Sequence, residues 1–247
     1  MLRDKKDKLE NVRSQLPQQV RLVVVSKYQP NSSILELYET GHRIFGESKV
    51  QELLAKYESL PQNIEWHFIG HLQTNKVKFI VPFVALIHGV DSLKLLHEIN
   101  DCAEKAGKTV NCLLQMHIAK EESKFGFSFD ELDEILQTLD LKTLSNIRIC
   151  GLMGMASNTE DMTLVKNEFK SLAQYFAKLK STYFADNDSF IELSMGMSSD
   201  YDIAIKEGAT LIRIGSSIFN PHPPSRGALN RPSGSPPLEG ELEGVNF

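Results

Sequence analysis

LVVVSKYQP, residues 22–30, is the stretch on which the fold turns. Three successive valines after a leucine make a short β-type run, and a polar turn bounds it, as turns usually bound strands. The run leads directly into a charge, Lys27, after which Tyr28, Gln29 and Pro30 turn the chain. An open doubly wound sheet normally carries a glycine-rich loop after its first strand. SKYQP holds no glycine, which argues for a different closure of the sheet.

Outward from this run, similar segments recur at Arg43–Phe45, Trp66–Ile69, Ala85–His88, Val110–Ile118, Ile147–Gly151, Phe190–Leu193 and Leu211–Ile214. Between them lie segments with helical spacing. Ile34, Leu35, Leu37 and Tyr38 make one stripe, Leu93, Leu96 and Ile99 another, and Leu164, Phe169, Leu172, Phe176 and Leu179 mark the longest helix. Strands separated by helices pair in parallel, because parallel neighbours need crossover connections. Eight such units predict a single (β/α)8 TIM barrel over residues 1–220. From Asn220 the composition shifts to Pro, Gly and Ser, so residues 221–247 are expected to be a disordered tail outside the barrel.

The totals agree with one α/β domain. The chain has 247 residues, 41% apolar and 24% charged, ordinary for a globular protein. The formal charge of -5 supplies no positive field for nucleic acid. Three cysteines without a close pair fit reduced thiols in the cytoplasm better than disulfides or a zinc site. MLRDKKDKLE has no apolar run of a signal peptide, and no apolar stretch reaches the ~18 residues of a membrane span.

In a barrel, Lys27 sits at the carboxyl end of the first strand, where active sites lie. A lysine in a dry pocket loses its proton more readily and can attack an aldehyde to form an imine. The plainer reading is a lysine that snorkels to solvent. At the other end of the chain, LSMGMSSDYDIAIKEGATLIRIGSSIF, residues 193–219, closes strands seven and eight. Ser198 or Ser199 is expected to cap a helix beginning near Asp200. Gly215, Ser216 and Ser217 let the backbone approach an anion. The loops after strands seven and eight often form a phosphate site in barrels. Equally, the serine could simply cap and the glycine simply turn. Arg213, in the last strand, needs an acceptor; a pyridine nitrogen and a helix carboxylate both qualify. Asp130, Glu131, Asp133 and Glu134 read as the acidic first turn of a helix. His67 and His71 lack a third ligand for zinc.

The blocks VVVSKYQP at 23–30, FGESKVQEL at 45–53, WHFIGHLQTNKVK at 66–78, GVDSLKLL at 89–96, ESKFGF at 122–127, GLMGMAS at 151–157 and the 193–219 segment come in a familiar order. Through them the chain resembles the pyridoxal phosphate homeostasis (YggS/PROSC) family, related to the N-terminal barrel domain of alanine racemase. The resemblance implies a pyridoxal 5'-phosphate (PLP) cofactor with Lys27 as its Schiff-base lysine. It implies that Ser198, Gly215 and Ser216 hold the phosphate and that Arg213 faces the pyridine nitrogen. Residues near His67, Met153 and Met195 would line the ring. Ser48 stands where the family often has Asn, so a contact to the ring is shortened or bridged by water.

That resemblance further implies a vitamin B6 homeostasis protein that supplies PLP to apo-enzymes, without significant turnover. The alternative is a weak PLP-dependent amino-acid racemase. Racemase relatives take a second base from a following β-rich domain, for which about 27 low-complexity residues leave no room. The expected partners are PLP and PLP-dependent apo-enzymes, with no nucleic acid, no membrane and a monomeric state. Two rivals from other classes are a scaffold barrel without a chromophore and a sugar-phosphate enzyme that forms an imine at Lys27.

Overall fold

A computed structural model describes residues 2–121 and 125–219, with side chains from residue 5. The tail at 221–247 and Glu122, Ser123 and Lys124 of the ESKFGF block lie outside the described residues.

Eight parallel strands close into a barrel in sequence order, β1 beside β8. They are β1 Arg21–Val25, β2 Ile44–Glu47, β3 Glu65–Phe68, β4 Leu86–Val90, β5 Val110–Met116, β6 Ile147–Gly154, β7 Glu192–Ser194 and β8 Leu211–Ile214. Each candidate run supplies one strand, so the TIM-barrel expectation is met, with ends moved by up to three residues. The helices are α1 Leu2–Gln15, α2 Asn31–Tyr38, α3 Val50–Ser59, α4 Val77–Ile80, α5 Leu93–Lys105, α6 Phe129–Thr138, α7 Met162–Thr182, α8 Tyr201–Lys206 and α9 Ser216–Phe219. The three apolar stripes fall on α2, α5 and α7. α1 precedes the barrel and has no counterpart among the expected segments: of its described side chains, from residue 5 on, only Leu9 and Val12 are buried.

Most of the core lies between strands and helices, with Phe45, Trp66, Ile87, Leu152, Phe169 and Leu172 among its members. Burying each such side chain contributes roughly 1.5–3 kcal/mol. A smaller cluster, Val23, Leu86, Leu113, Cys150, Met153 and Leu211, lies apart from this layer, as alternation places every second strand residue on the barrel's inner side. β6 shifts register against β5 after Cys112. The shift is seated at Gly151, whose φ is 149° and where a Cβ would come within 1.8 Å of the Glu192 carbonyl oxygen.

α6 begins with a capping box in which the Ser128 hydroxyl takes the Glu131 amide and Glu131 reaches back. Of the four acidic residues expected in its first turn, only Asp130 and Glu131 lie there. Asp133 instead takes Lys178 at 2.5 Å and the Tyr175 hydroxyl at 3.1 Å, which ties α6 to α7.

Candidate functional site

A cavity of about 760 Å³ opens at the carboxyl ends of the strands, within the size of small-molecule sites. Lys27, Ser48, Ser198, Arg213, Gly215 and Ser216 all line it. They come from the exits of β1, β2, β7 and β8, so closure of the barrel brings residues 27 and 216 to one place.

The turn that carries Lys27 is held from α3. Glu52 and Lys56, one helical turn apart, reach the two peptide groups that flank it. Glu52 Oε1 accepts the Tyr28 amide at 2.6 Å, and Lys56 Nζ donates to the Ser26 carbonyl at 2.8 Å. Lys56 also donates to Glu47 and to Glu52, each at 2.7 Å. All three of its protons are thereby used. Glu47 is fully buried and also accepts the Ser26 hydroxyl at 2.6 Å. Burial raises its carboxyl pKa, and the Lys56 hydrogen bond pulls the other way. Tyr28 follows with φ 63°, a left-handed conformation that non-glycine residues rarely adopt. The lysine itself is exposed, which agrees with the reading of a lysine that reaches solvent and not with a dry seat: the turn lifts it off the strand end into the open mouth.

Arg213 enters the cavity wall from β8 and is buried. Its Nη1 donates to the Ser194 carbonyl at 3.0 Å and the Ser194 hydroxyl at 2.5 Å, and its Nη2 to the Gly154 carbonyl at 3.2 Å. No helix carboxylate pairs with it through these bonds. Three of its five N–H groups are thus engaged, leaving two. Burial brings its pKa down to about 10, partly countered by Asp200, so it stays cationic at neutral pH.

The Ser216 hydroxyl lies 3.1 Å from that of Ser198 across the exits of β8 and β7. The first amides of α9 have no partner inside that helix. The expected serine cap of α8 is corrected. Asp200 occupies the N-cap, and its carboxylate accepts the Met197 amide at 2.6 Å. Gly196, with φ 93°, makes the bend out of β7 possible, since a Cβ there would lie 2.6 Å from that of Ala204.

His67, Met153 and Met195 do not line the cavity. His67 is buried beneath it, hydrogen-bonded to His88. Met195 packs in the outer core, and Met153 sits in the smaller cluster. Met155 and Met197, two residues further on, take the lining positions. Both lie past the ends of β6 and β7, and Gly196 bends the chain between Met195 and Met197, which a motif read without strand ends does not resolve. Asn158, Thr159 and Glu160 in the loop after β6 line the cavity too, and no sequence signal marked them. Cys150 lies within β6, and burial pushes its thiol up to about 11. Among the described residues no group of three metal-ligating side chains occurs, and no helix is long and apolar enough to cross a membrane.

The closed barrel with its helices is the fold class of the alanine racemase N-terminal domain, and that family model matches residues 2–223. Among curated relatives, a pyridoxal phosphate homeostasis protein of Synechocystis sp. (strain ATCC 27184 / PCC 6803 / Kazusa) is 41% identical, over 83% of this chain and 92% of its own. Another, of Aquifex aeolicus (strain VF5), is 39% identical over 81% of this chain and 86% of its own. The solved structure of PipY from Synechococcus elongatus PCC7942 with PLP bound is 36% identical. It covers 87% of this chain and 99% of that one with a TM-score of 0.79. The chain belongs to the pyridoxal phosphate homeostasis protein family.

Proposed function

We propose that the protein binds PLP and serves its homeostasis, holding it at Lys27 through a Schiff-base anchor and supplying it to PLP-dependent apo-enzymes. The observation that carries this is the meeting, in one cavity, of an amine, a buried guanidinium and a pair of serines at two strand exits. The donor set fits the cofactor's chemistry. Two open N–H groups of a permanent cation suit a ring nitrogen, and hydroxyls beside free helix amides suit a phosphate. When bound, PLP supplies an aldehyde that condenses reversibly with an amine, releasing one water.

Each residue has a separate task in this reading. Lys27 is the anchor amine, and the Glu52–Lys56 brace fixes its backbone. Ser198, Gly215 and Ser216 hold the phosphate. Arg213, always a donor, keeps the ring nitrogen unprotonated, which weakens the ring as an electron sink and favours storage over turnover. Ser48 lies at the ring's edge. Exposure of Lys27 leaves water a path to the anchor, as release requires.

Supply to other enzymes is tested with PLP-loaded protein and a PLP-free aminotransferase, either mixed or separated by a dialysis membrane. Supply by contact predicts faster reactivation when the two are mixed. Equal rates in both arrangements would contradict it and leave simple release.

A further inference from the structure

Arg213 is one end of a hydrogen-bond chain that crosses the barrel interior. Its guanidinium donates to the Ser194 hydroxyl on β7 at 2.5 Å. Ser194 Oγ lies 2.9 Å from Nδ1 of His88 on β4. His88 Nε2 lies 2.9 Å from Nδ1 of His67 on β3. His67 Nε2 lies 3.2 Å from Glu65 Oε1 at the start of β3. Ser194 and His88 are fully buried and His67 is 1% exposed, so no water competes along the middle of the chain. Glu65 ends it beside Arg21, at 3.9 Å.

The Glu65 end fixes the direction of the chain. An ionised carboxylate only accepts, so His67 carries its proton on Nε2 and donates it there. With one proton on each ring, His67 Nδ1 accepts from His88 Nε2, and His88 Nδ1 accepts the Ser194 hydroxyl proton. The Ser194 oxygen meanwhile accepts from Arg213, which only donates. In the reverse direction His67 Nε2 would face the Glu65 carboxylate with no proton between two acceptors. Burial disfavours the charged form of both histidines, in keeping with one proton on each ring.

We propose that Ser194, His88 and His67 are positioning residues for Arg213, forming a one-way chain that holds its guanidinium with two N–H groups turned toward the place of the cofactor's ring nitrogen. This rests on the reading of Arg213 given above. Without the chain, the hydrogen bonds left to the guanidinium are those to the carbonyls of Ser194 and Gly154.

The test has two arms. Imidazole ¹⁵N shifts of the protein without added PLP, at pH 7, should show both histidines neutral with the proton on Nε2. A proton on Nδ1 of either ring, or a charged ring, overturns the proposal whether or not PLP binds. In the second arm, PLP is compared with a phosphorylated hydroxybenzaldehyde that lacks the ring nitrogen. Ser194→Ala and His88→Leu should weaken PLP binding on the order of tenfold, the worth of one charged hydrogen bond, and leave the analogue's affinity unchanged. Equal loss for both ligands marks a merely structural role and overturns the proposal. Failure of the unsubstituted protein to bind PLP would instead sink the cofactor reading, with the ¹⁵N arm still deciding the chain.

Discussion

Ser198 and Ser216 face one another at 3.1 Å from two different strand exits. Such a pair has little structural reason to meet in an open mouth, and together with the α9 amides it makes a small neutral cradle. A negative side chain placed there would oppose a phosphate at close range. Ser216→Glu should therefore weaken PLP binding on the order of a hundredfold, consistent with like charges about 4 Å apart in a partly wet site. Binding of pyridoxal, which lacks the phosphate, should hold steady. Titration followed by absorbance checks both, and equal loss of the two ligands would place the phosphate elsewhere. At this scale the motifs told residue type better than depth. Lys27, Arg213 and Ser216 were legible because their place follows from strand ends alone. His67 and Met195 were not: His67 lies on β3 at a layer that depends on register, and Met195 lies just past the end of β7, where the bend at Gly196 sets its face, neither of which a one-dimensional pattern carries.

The element that does most for the site is α3. Its Glu52 and Lys56 brace the Lys27 turn, and Lys56 neutralises the buried Glu47. Removing one member of a buried charge cluster leaves the others uncompensated, at a cost of about 3–5 kcal/mol. Lys56→Met should lower stability by that order in urea denaturation, and adding Glu47→Leu should recover much of it. A single variant within about 1 kcal/mol of the parent would show that the brace carries no weight. The sequence marked α3 only as part of a matching block. Its role was hidden because Lys56 and Lys27 are joined by contacts across the strand–helix layer, not by any local pattern.

On the scale of the whole molecule, three histidines among the described residues are buried neutral: His42, pushed down to about 4, and His67 and His88, both lowered. Burial is the leading cause in each. Their folded pKa values lie below the ordinary 6.5, so below that pH the unfolded chain takes up protons that the folded chain refuses. Stability is full above pH 6.5 and falls as pH drops. Each histidine adds a slope of up to about 1.4 kcal/mol per pH unit. Glu47, with its raised pKa, acts oppositely: its contribution is present at low pH and lost as pH rises through the folded value. The histidines outnumber it, so urea midpoints should fall from pH 7.5 to 5.5, and His42→Phe should flatten the fall. A level profile in the parent would contradict this. Eight runs and three helical stripes made the barrel legible as a whole, since closure needs only the count and alternation of elements. α1 escaped because two buried residues among the described side chains of a charged helix leave almost no periodic signal.

The central claim is that Lys27 anchors PLP in this cavity. The most direct measurement is the visible absorbance of the protein with added PLP beside a Lys27→Ala control, followed by borohydride reduction and peptide mass. The account predicts a yellow band in the parent, its loss in the variant, and one reduced PLP mass on the peptide containing Lys27. A band that survives in Lys27→Ala, or a PLP mass on another lysine, would contradict it.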